Sequence, residues 1–345
     1  HEKWASLQPK DWAPHRFKTD SSLLKLAVDA IPKFSSEIVY RGGKDFQQKP
    51  WQLYDLTELQ RRANRLFGFT ADKTLSIAQA LYEKHKLISY PRTSCRVLSE
   101  SVAAGIASVV SAIRQPYDSL ILPETGEKTL STRFVNDAEV EEHHAIIPTG
   151  GSCLSKNLSV EESKVYDLIC RRLLAAWQED FASRTTTLVW RSPEQLNSIE
   201  KPGWFFCRAR QVSEWGFKLV EGEKEREQKR LRMLDSSFVE GAKINGESSV
   251  LDKRATTPPP RLSDATLLTA METAGRLVED RELKKAMREQ GLGTPATRAA
   301  IIQTLLKRGF VKRDKKVFQV TEKGMALVGM IHEALKSPQM TGDWE

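Results

Sequence analysis

The spacing of apolar residues divides the chain into β-rich and helical blocks. Residues 1–55 and 182–255 contain short apolar runs between polar and turn-forming residues, a pattern typical of strands. From residue 56 to residue 179 the apolar residues recur every three or four positions, as they do along one face of a helix. The simplest arrangement is a β domain interrupted by an inserted helical domain.

The first residues of the helices can also be predicted. A Ser or Thr at a helix start accepts a hydrogen bond from the first turn, and a Gly often ends the helix. The helices of the central block are predicted to start at Thr57, Thr70, Ser99 and Ser159, with Gly68 ending the first. A short apolar run at residues 87–90 follows the second helix and is expected to be extended until Pro91 breaks it.

A Pro-rich connector, residues 256–260, leads to a helical C-terminal part. There a glycine-rich turn at residues 291–295 opens a helix, and Gly309 closes it. Two short apolar segments then flank a basic tip at residues 312–316, and Thr321 is expected to cap a final helix. A helix followed by a two-stranded ribbon with a charged tip resembles a winged helix. The predicted fold class is therefore α+β and multidomain.

Composition narrows the class of protein. The 345 residues include 28% charged residues, eight Trp and thirteen Phe, which argues against disorder. No apolar run approaches the roughly 18–20 residues of a membrane helix. The four cysteines are scattered without a C-x-x-C pair, so neither a disulfide framework nor a zinc ribbon is predicted, and a reducing compartment is expected. The net charge of +8 suits an anionic partner such as nucleic acid, and equally a generically basic soluble enzyme.

The positive charge is concentrated near the C-terminal helix. Residues 279–316 carry eleven Lys and Arg against five Asp and Glu, a net +6 of the chain's +8. Thr297 and Arg298 fall at the N-terminus of that helix, where backbone N–H groups attract phosphate. A phosphate-binding helix and a solvated basic helix are both compatible with this pattern.

One tyrosine has an arrangement that suits phosphoryl chemistry. Tyr90 ends the apolar run, two residues before Arg92, and on a strand both side chains would lie on one face. A phenol that attacks phosphorus needs a fixed cation to balance the charge of the transition state, and the planar fork of Arg can provide it. The alternative is a half-buried tyrosine with a chance arginine neighbour.

A pair of histidines forms the second candidate cluster. His143 and His144 precede Pro148 in a segment, residues 143–149, that we call the histidine loop. Adjacent side chains of an extended segment point to opposite sides, so at most one of them joins a given site. A His there could donate to a phosphate oxygen or move a proton. With no nearby Cys or further His a metal site is disfavoured, and an ordinary loop before a proline is the alternative.

Together these segments resemble the type IA DNA topoisomerases, and most closely bacterial topoisomerase III. Three stretches match in the order of the family. Residues 87–96 are similar to the active-site tyrosine segment, and the histidine loop has a counterpart in the family. Residues 263–270 with 291–311 are similar to the DNA-gripping domain.

The resemblance implies a toroidal core assembled from three parts. Residues 1–55 and 182–257 would form a β arch. Residues 56–181 would form an inserted, mostly helical domain that carries the tyrosine. Residues 258–345 would form part of a winged-helix-like domain that binds single-stranded DNA. This division agrees with the interrupted β domain predicted from periodicity.

The resemblance also implies roles for individual residues. Tyr90 would attack a single-stranded DNA phosphodiester and hold the 5′-phosphate covalently, Arg92 would stabilise the scissile phosphate, and His143 would contact phosphate. The expected DNA-binding residues are Thr297, Arg298, Arg308, Lys312 and Arg313. Because the covalent bond stores the energy of cleavage, religation needs no nucleotide, and the chain contains no G-x-x-x-x-G-K-[ST] loop.

Two departures from the family limit what can be transferred. Ser94 stands where an acidic residue is expected, and no D-x-D occurs in the chain, Asp137-Ala138-Glu139 being the nearest sequence. The family holds Mg²⁺ in an N-terminal Toprim domain, so no metal ligand is predicted in this chain. Since it begins at His1 rather than Met, we expect a piece of a longer protein that is inactive without that domain.

The implied partners are single-stranded DNA, the Toprim domain, and a helicase or single-strand-binding protein. The implied location is the cytoplasm of a bacterium, in association with the nucleoid, and no membrane contact is expected. A second hypothesis is a non-catalytic single-stranded-DNA-binding or scaffold protein that uses only the winged-helix-like end. It predicts that Tyr90→Phe has no effect and that binding depends steeply on salt. A tyrosine recombinase or a relaxase is disfavoured, because the chain lacks the Arg and His set of the former and the clustered His of the latter.

Overall fold

The computed structural model describes residues 29, 35–151, 157–191, 204–229, 231, 234–247, 255–274, 291–336 and 340. Several predictions fall outside these ranges. They concern β structure in residues 1–28, the turn at residues 202–203, a strand at residues 250–251, Cys153 and the basic residues of the segment 275–290.

The described residues form eleven α-helices and six strands in two compact units. The helices are α1 (Leu56–Phe67), α2 (Ala71–Glu83), α3 (Glu100–Ala104), α4 (Ile106–Ile113), α5 (Val160–Leu174), α6 (Phe217–Val220), α7 (Lys224–Gln228), α8 (Asp264–Glu272), α9 (Pro295–Lys307), α10 (Glu322–Met330) and α11 (Glu333–Lys336). The strands are β1 (Ser35–Gln48), β2 (Phe181–Arg191), β3 (Trp204–Glu214), β4 (Lys243–Asn245), β5 (Val311–Asp314) and β6 (Val317–Val320).

Each of the two units is formed by two separate stretches of the chain. The first unit comprises His1–Lys49 and Glu179–Pro258, and the second comprises Pro50–Gln178 and Pro259–Glu345. We call them the sheet unit and the helical unit. The helical unit thus joins the central helices to the C-terminal part that follows the proline connector. The finer division into three parts stays a prediction.

The sheet unit is built on an antiparallel sheet in the order β3-β2-β1-β4. The long central pair is in register from Gln48, opposite Phe181, to Tyr40, opposite Val189. β2 is rich in β-branched residues, which suit a pleated surface. After β3 the chain turns sharply at Gly216, where φ is 46° and a Cβ atom would lie 2.1 Å from the Glu179 carbonyl oxygen, so no larger residue fits.

The helical unit contains α1, α2 and α5 packed around a common apolar core. Six of their residues are completely buried: Leu59, Ala63, Ala78, Leu81, Ile169 and Leu173. The helix starts predicted at Thr70, Ser99 and Ser159 are confirmed, and each of these side chains accepts a hydrogen bond from the first turn of its helix. The predicted cap at Thr57 is wrong. Asp55 caps α1 by accepting from the Glu58 N–H at 2.6 Å, and α1 ends at Gly68 as predicted.

The C-terminal part of the helical unit contains the predicted helix and ribbon. α9 begins with Pro295 after Thr294, and β5 pairs with β6 in an antiparallel hairpin. A third segment joins the hairpin edge, since the Phe318 N–H donates to the Leu262 carbonyl at 2.8 Å. Thr321 caps α10 as predicted. No helix in the described ranges has the length and apolar character needed to cross a membrane.

Candidate active site and nucleic-acid interface

Tyr90 lies in an irregular segment between α2 and α3 that is anchored on its N-terminal side. Leu87 and Ile88 are 0% and 1% exposed. The chain turns just before them because Lys86 adopts a left-handed φ of 56°, and the Leu87 N–H then donates to the Leu81 carbonyl at 2.9 Å. Tyr90 is therefore half-buried at the end of a run that is firmly held.

Hydrogen bonds fasten this segment to the histidine loop. The Ser89 N–H donates to the Ile147 carbonyl, and the Ile147 N–H donates to Ser89 Oγ, each at 2.9 Å. Ser89 Oγ also donates to the Ala145 carbonyl at 3.0 Å. On the other side of the tyrosine, the Thr93 hydroxyl donates to the His143 carbonyl at 3.0 Å. These four bonds hold two segments, distant in sequence, side by side.

The Tyr90 ring packs against the His143 ring. The centroids are 4.3 Å apart and the planes are tilted by 44°. His143 is exposed, whereas His144 is half-buried and its Nδ1 donates to the Ala145 carbonyl at 2.8 Å. Burial lowers the pKa of His144, which favours the neutral form of this imidazole. The structure brings His143, and not its neighbour, to the tyrosine.

Arg92 does not share a strand face with Tyr90. Among the residues that the structure describes, this segment pairs with the histidine loop through an isolated bridge between Ile88 and Pro148, and the residues around Tyr90 are irregular. Pro91 has no N–H with which to continue a ladder, so the run ends at Tyr90 as predicted, and the condition that Tyr90 and Arg92 share a strand is not met. Arg92 is half-buried, and within the described ranges no hydrogen bond or ion pair engages its guanidinium.

Two carboxylates near this site, those of Asp137 and Glu139, already have local partners. Asp137 accepts from the Glu100 N–H at 2.7 Å, and Glu139 accepts from the Asn136 side-chain amide at 2.7 Å. Ser94 is exposed. Among the residues that the structure describes, no group of three or more His, Cys, Asp or Glu is placed to hold a metal. Since Mg²⁺ needs carboxylate oxygens that are free to coordinate it, these residues do not fit the ion.

Three of the predicted DNA-binding residues are exposed on the winged-helix-like part. They are Thr297 in the first turn of α9, Arg308 at the end of α9, and Lys312 on β5. The first turn is fixed in place, since the Thr294 N–H donates to Thr297 Oγ1 at 2.9 Å. A helix N-terminus and two exposed cations are chemically suited to a phosphate backbone.

The other two predicted DNA-binding residues make contacts inside the helical unit. Arg298 is 2% exposed and donates to the Leu292 carbonyl at 3.2 Å and to the Thr57 hydroxyl at 3.1 Å. Arg313 forms an ion pair with Asp264, which is 1% exposed. Arg298 thereby links α9 to α1, and Arg313 links the hairpin to α8. Their contacts with DNA stay predictions.

A comparison with known proteins places the chain in a family. The family model described as DNA topoisomerase matches residues 4–345. The chain belongs to the DNA topoisomerase family.

Several relatives in this family are DNA topoisomerase 3 proteins. The chain is 35% identical over 294 residues to the protein of Vibrio cholerae, covering 85% of this chain and 44% of that protein. It is 37% identical over 293 residues to the protein of Salmonella typhimurium, with the same shares of both chains covered. For Pasteurella multocida the identity is 35% over 326 residues, covering 94% of this chain and 48% of that protein. The chain spans about half the length of the curated relatives it matches.

The fold is also that of a DNA topoisomerase. The chain is similar to full-length topoisomerase I from Thermotoga maritima with a TM-score of 0.68, at 21% identity, covering 95% of this chain and 49% of that chain. The predicted fold class, an α+β type IA topoisomerase core, is confirmed, as is the resemblance that led to it.

In this DNA topoisomerase chain a partly buried ionic cluster, which was not predicted from the sequence, connects α1 to α8. Arg61 pairs with Glu272 and, at 2.8 Å, with Glu58. Asp55 is 6% exposed beside them, and burial raises its pKa to about 6. Burial also lowers the pKa of Arg298. The only local signal was an Asp three residues before a Glu, which is a possible helix start; the partner more than 200 positions away left no trace in the sequence pattern.

Proposed function

We propose that this chain carries the nucleophile of a type IA DNA topoisomerase, which transiently cleaves single-stranded DNA to relax negative supercoils or to decatenate. The packing of the Tyr90 ring against His143 carries the proposal, together with Arg92, which no described carboxylate neutralises. An anionic phosphodiester would supply the negative charge that this guanidinium lacks. The match of residues 4–345 to DNA topoisomerases supports the same reaction.

The proposed reaction exchanges one phosphodiester for another. The bond from Tyr90 Oη to phosphorus forms while the bond from phosphorus to the 3′ oxygen breaks. The phenol loses its proton, and the 3′ oxygen takes one up and leaves as a hydroxyl. Religation reverses these steps, so no nucleotide is consumed. We assign Arg92 to charge stabilisation of the phosphate and His143 to a hydrogen bond with a phosphate oxygen.

The winged-helix-like part is proposed to hold the strand. Thr297, Arg308 and Lys312 are exposed and suited to direct phosphate contacts. For Arg298 and Arg313 the buried partners support an indirect contribution, in which each keeps the binding surface in position. Mutations of the two groups should therefore differ, since the first weakens binding and the second destabilises the helical unit.

We also propose that catalysis requires a Toprim domain that supplies Mg²⁺, because the described residues do not fit that ion. The chain alone is then expected to bind single-stranded DNA weakly and to relax nothing. Relaxation of negatively supercoiled plasmid by the purified 345-residue chain would refute this requirement. A helicase or a single-strand-binding protein is proposed as a further partner.

The decisive experiment detects the covalent link. A single-stranded oligonucleotide labelled at its 3′ end is incubated with Mg²⁺ and the chain, with the Toprim domain of a related topoisomerase 3 supplied in trans or fused upstream. Denaturation with SDS should trap labelled protein, and Tyr90→Phe should abolish it. Tyr117→Phe is the matched control, because Tyr117 lies in the same unit and donates to Asp167 at 2.8 Å. An unchanged adduct with Tyr90→Phe would exclude Tyr90 as the nucleophile.

A binding experiment separates this proposal from a non-catalytic DNA-binding protein. Arg308→Ala and Lys312→Ala should each weaken binding and lower the salt slope by about 0.7 for every phosphate that the protein no longer neutralises. Both hypotheses expect this result. Only the topoisomerase proposal also expects an adduct that depends on Tyr90. Strand binding without any adduct in the complemented protein would favour the non-catalytic alternative.

A further inference from the structure

A second tyrosine contacts the ring of Tyr90. Tyr82 lies in the last turn of α2, and its ring meets the Tyr90 ring edge to face, with centroids 5.5 Å apart and planes at 81°. We infer that Tyr82 is a positioning residue, which sets the orientation of the Tyr90 ring and so the place of its phenol oxygen. The inference rests on the proposed function, in which Tyr90 is the nucleophile.

The Tyr82 ring is itself firmly placed. Its helix is anchored at the far end, where the Ala71 N–H donates to the buried Asp264 carboxylate at 3.1 Å. Beyond the helix, the Lys86 ammonium lies 5.6 Å from the Tyr82 ring centroid, within the range of a cation–π contact. The Lys86 carbonyl accepts from the Thr149 hydroxyl at 2.7 Å, so the residue that carries this cation is tied to the histidine loop.

The Tyr90 ring, by contrast, stands on an irregular backbone. Its neighbours Ser89 and Thr93 are hydrogen-bonded, but those bonds fix the main chain and leave the rotation of the tyrosine side chain unset. Two rings restrict that rotation: the His143 ring at 4.3 Å and the Tyr82 ring at 5.5 Å. His143 is exposed and is assigned to the phosphate, so the orientation of the Tyr90 ring is assigned to its contact with Tyr82.

The orientation of the phenol matters for the reaction rate. In-line attack needs the oxygen at a defined place, and a misplacement of about 1 Å can reduce a rate about a hundredfold. The energy of a single aromatic contact corresponds to a smaller factor than this. We therefore expect its removal to reduce the rate of cleavage about tenfold. Affinity for the strand should stay the same, because Tyr82 is assigned no contact with DNA.

Three variants test the inference. Tyr82→Leu removes the ring, and Tyr82→Phe keeps the ring while removing only the hydroxyl. Phe67→Leu is the matched control, since Phe67 is also half-buried in the last turn of a helix, with a ring neighbour, Phe69, at 5.3 Å and a lysine over its face. It should lower stability as Tyr82→Leu does, without reaching the site. If Tyr82→Leu fails to fold, Tyr82→Met, which has a similar length, takes its place.

The first measurement uses this chain alone. NMR spectra of the chain labelled with ¹³C at the tyrosine ε carbons contain a Tyr90 signal that Tyr90→Phe identifies by its disappearance. We expect Tyr82→Leu to shift and broaden this signal, and Tyr82→Phe and Phe67→Leu to leave it in place. An unmoved Tyr90 signal in Tyr82→Leu would overturn the inference whether or not the chain has activity.

The second measurement uses the complemented protein and the 3′-labelled oligonucleotide. Single-turnover cleavage should slow about tenfold in Tyr82→Leu at unchanged strand affinity, and recover in Tyr82→Phe. Equal rates in Tyr82→Leu and Phe67→Leu would refute the positioning role. An adduct that survives Tyr90→Phe would refute the proposed function instead, so the two failures are distinguishable.

Discussion

Replacement of Asp55 by Asn should change how the stability of the helical unit depends on pH. Asp55 caps α1 and accepts from the Glu58 N–H at 2.6 Å, but it is only 6% exposed. Burial disfavours its charged form and raises its pKa from 3.8 to about 6, although that hydrogen bond and the charges of Arg96 and Arg61 oppose the rise. Asn keeps the cap, because its side-chain oxygen accepts the same bond without a charge.

The magnitude follows from the difference between the two pKa values of Asp55. Between pH 3.8 and about 6 the folded protein holds a proton that the unfolded chain has released, so stability falls as the pH rises. Each pH unit of this difference changes the unfolding free energy by about 1.36 kcal/mol, so the total decrease is about 3 kcal/mol. About 2 to 3 kcal/mol of it should appear between pH 4 and pH 7, and Asp55→Asn should not show it.

Urea denaturation followed by circular dichroism at 222 nm measures the effect, because most helices lie in the helical unit. The quantity to compare is the difference in unfolding free energy between Asp55→Asn and the parent chain at pH 4, 5, 6 and 7. Asp72→Asn is the control, since Asp72 is an exposed acid in the first turn of α2. A difference that stays constant from pH 4 to pH 7 would show that Asp55 is not held protonated by burial.

Three further substitutions test how the helical unit is held together, each measured by the same denaturation. Asp264→Ala should lower the unfolding free energy by about 3 kcal/mol, because Arg313 and the Ala71 N–H both lose their buried acceptor; a decrease below about 1 kcal/mol would mean that these two contacts together add little. Ser159→Ala removes the cap of α5 and should lower the unfolding free energy by about 1 kcal/mol. An unchanged unfolding free energy would show that water replaces the hydroxyl. Gly324→Ala should destabilise by about 1–3 kcal/mol, because the new Cβ would lie 2.2 Å from the Phe310 carbonyl oxygen; an unaltered midpoint would show that α10 can shift.

Local features of this protein were predictable from its sequence. The caps at Thr70, Ser99, Ser159 and Thr321 are hydrogen bonds that reach only three residues along the chain, so the residues that make them are close in the sequence. The family resemblance likewise depends on short contiguous segments around Tyr90 and the histidine loop, and the family is confirmed.

Predictions failed where a neighbouring residue or another segment decided the outcome. Thr57 was expected to cap α1, but Asp55 takes that place and the Thr57 hydroxyl accepts from Arg298, 241 positions away. Tyr90 and Arg92 would share a face only on a continuous strand, but the pairing with the histidine loop is limited to the bridge at Ile88 and the backbone around Tyr90 is irregular.

The sequence by itself determined most of the helix starts, with α1 the exception, and also the apolar faces and the family, because these follow from residues that are close along the chain. Only the tertiary structure decided that His143, and not His144, packs on Tyr90, and that Tyr82 lies on the same ring. It also decided that Arg298 and Arg313 contact the buried residues Thr57 and Asp264 while Arg308 stays exposed. The physical reason is that burial and charge pairing depend on distances in space, which chain order does not encode.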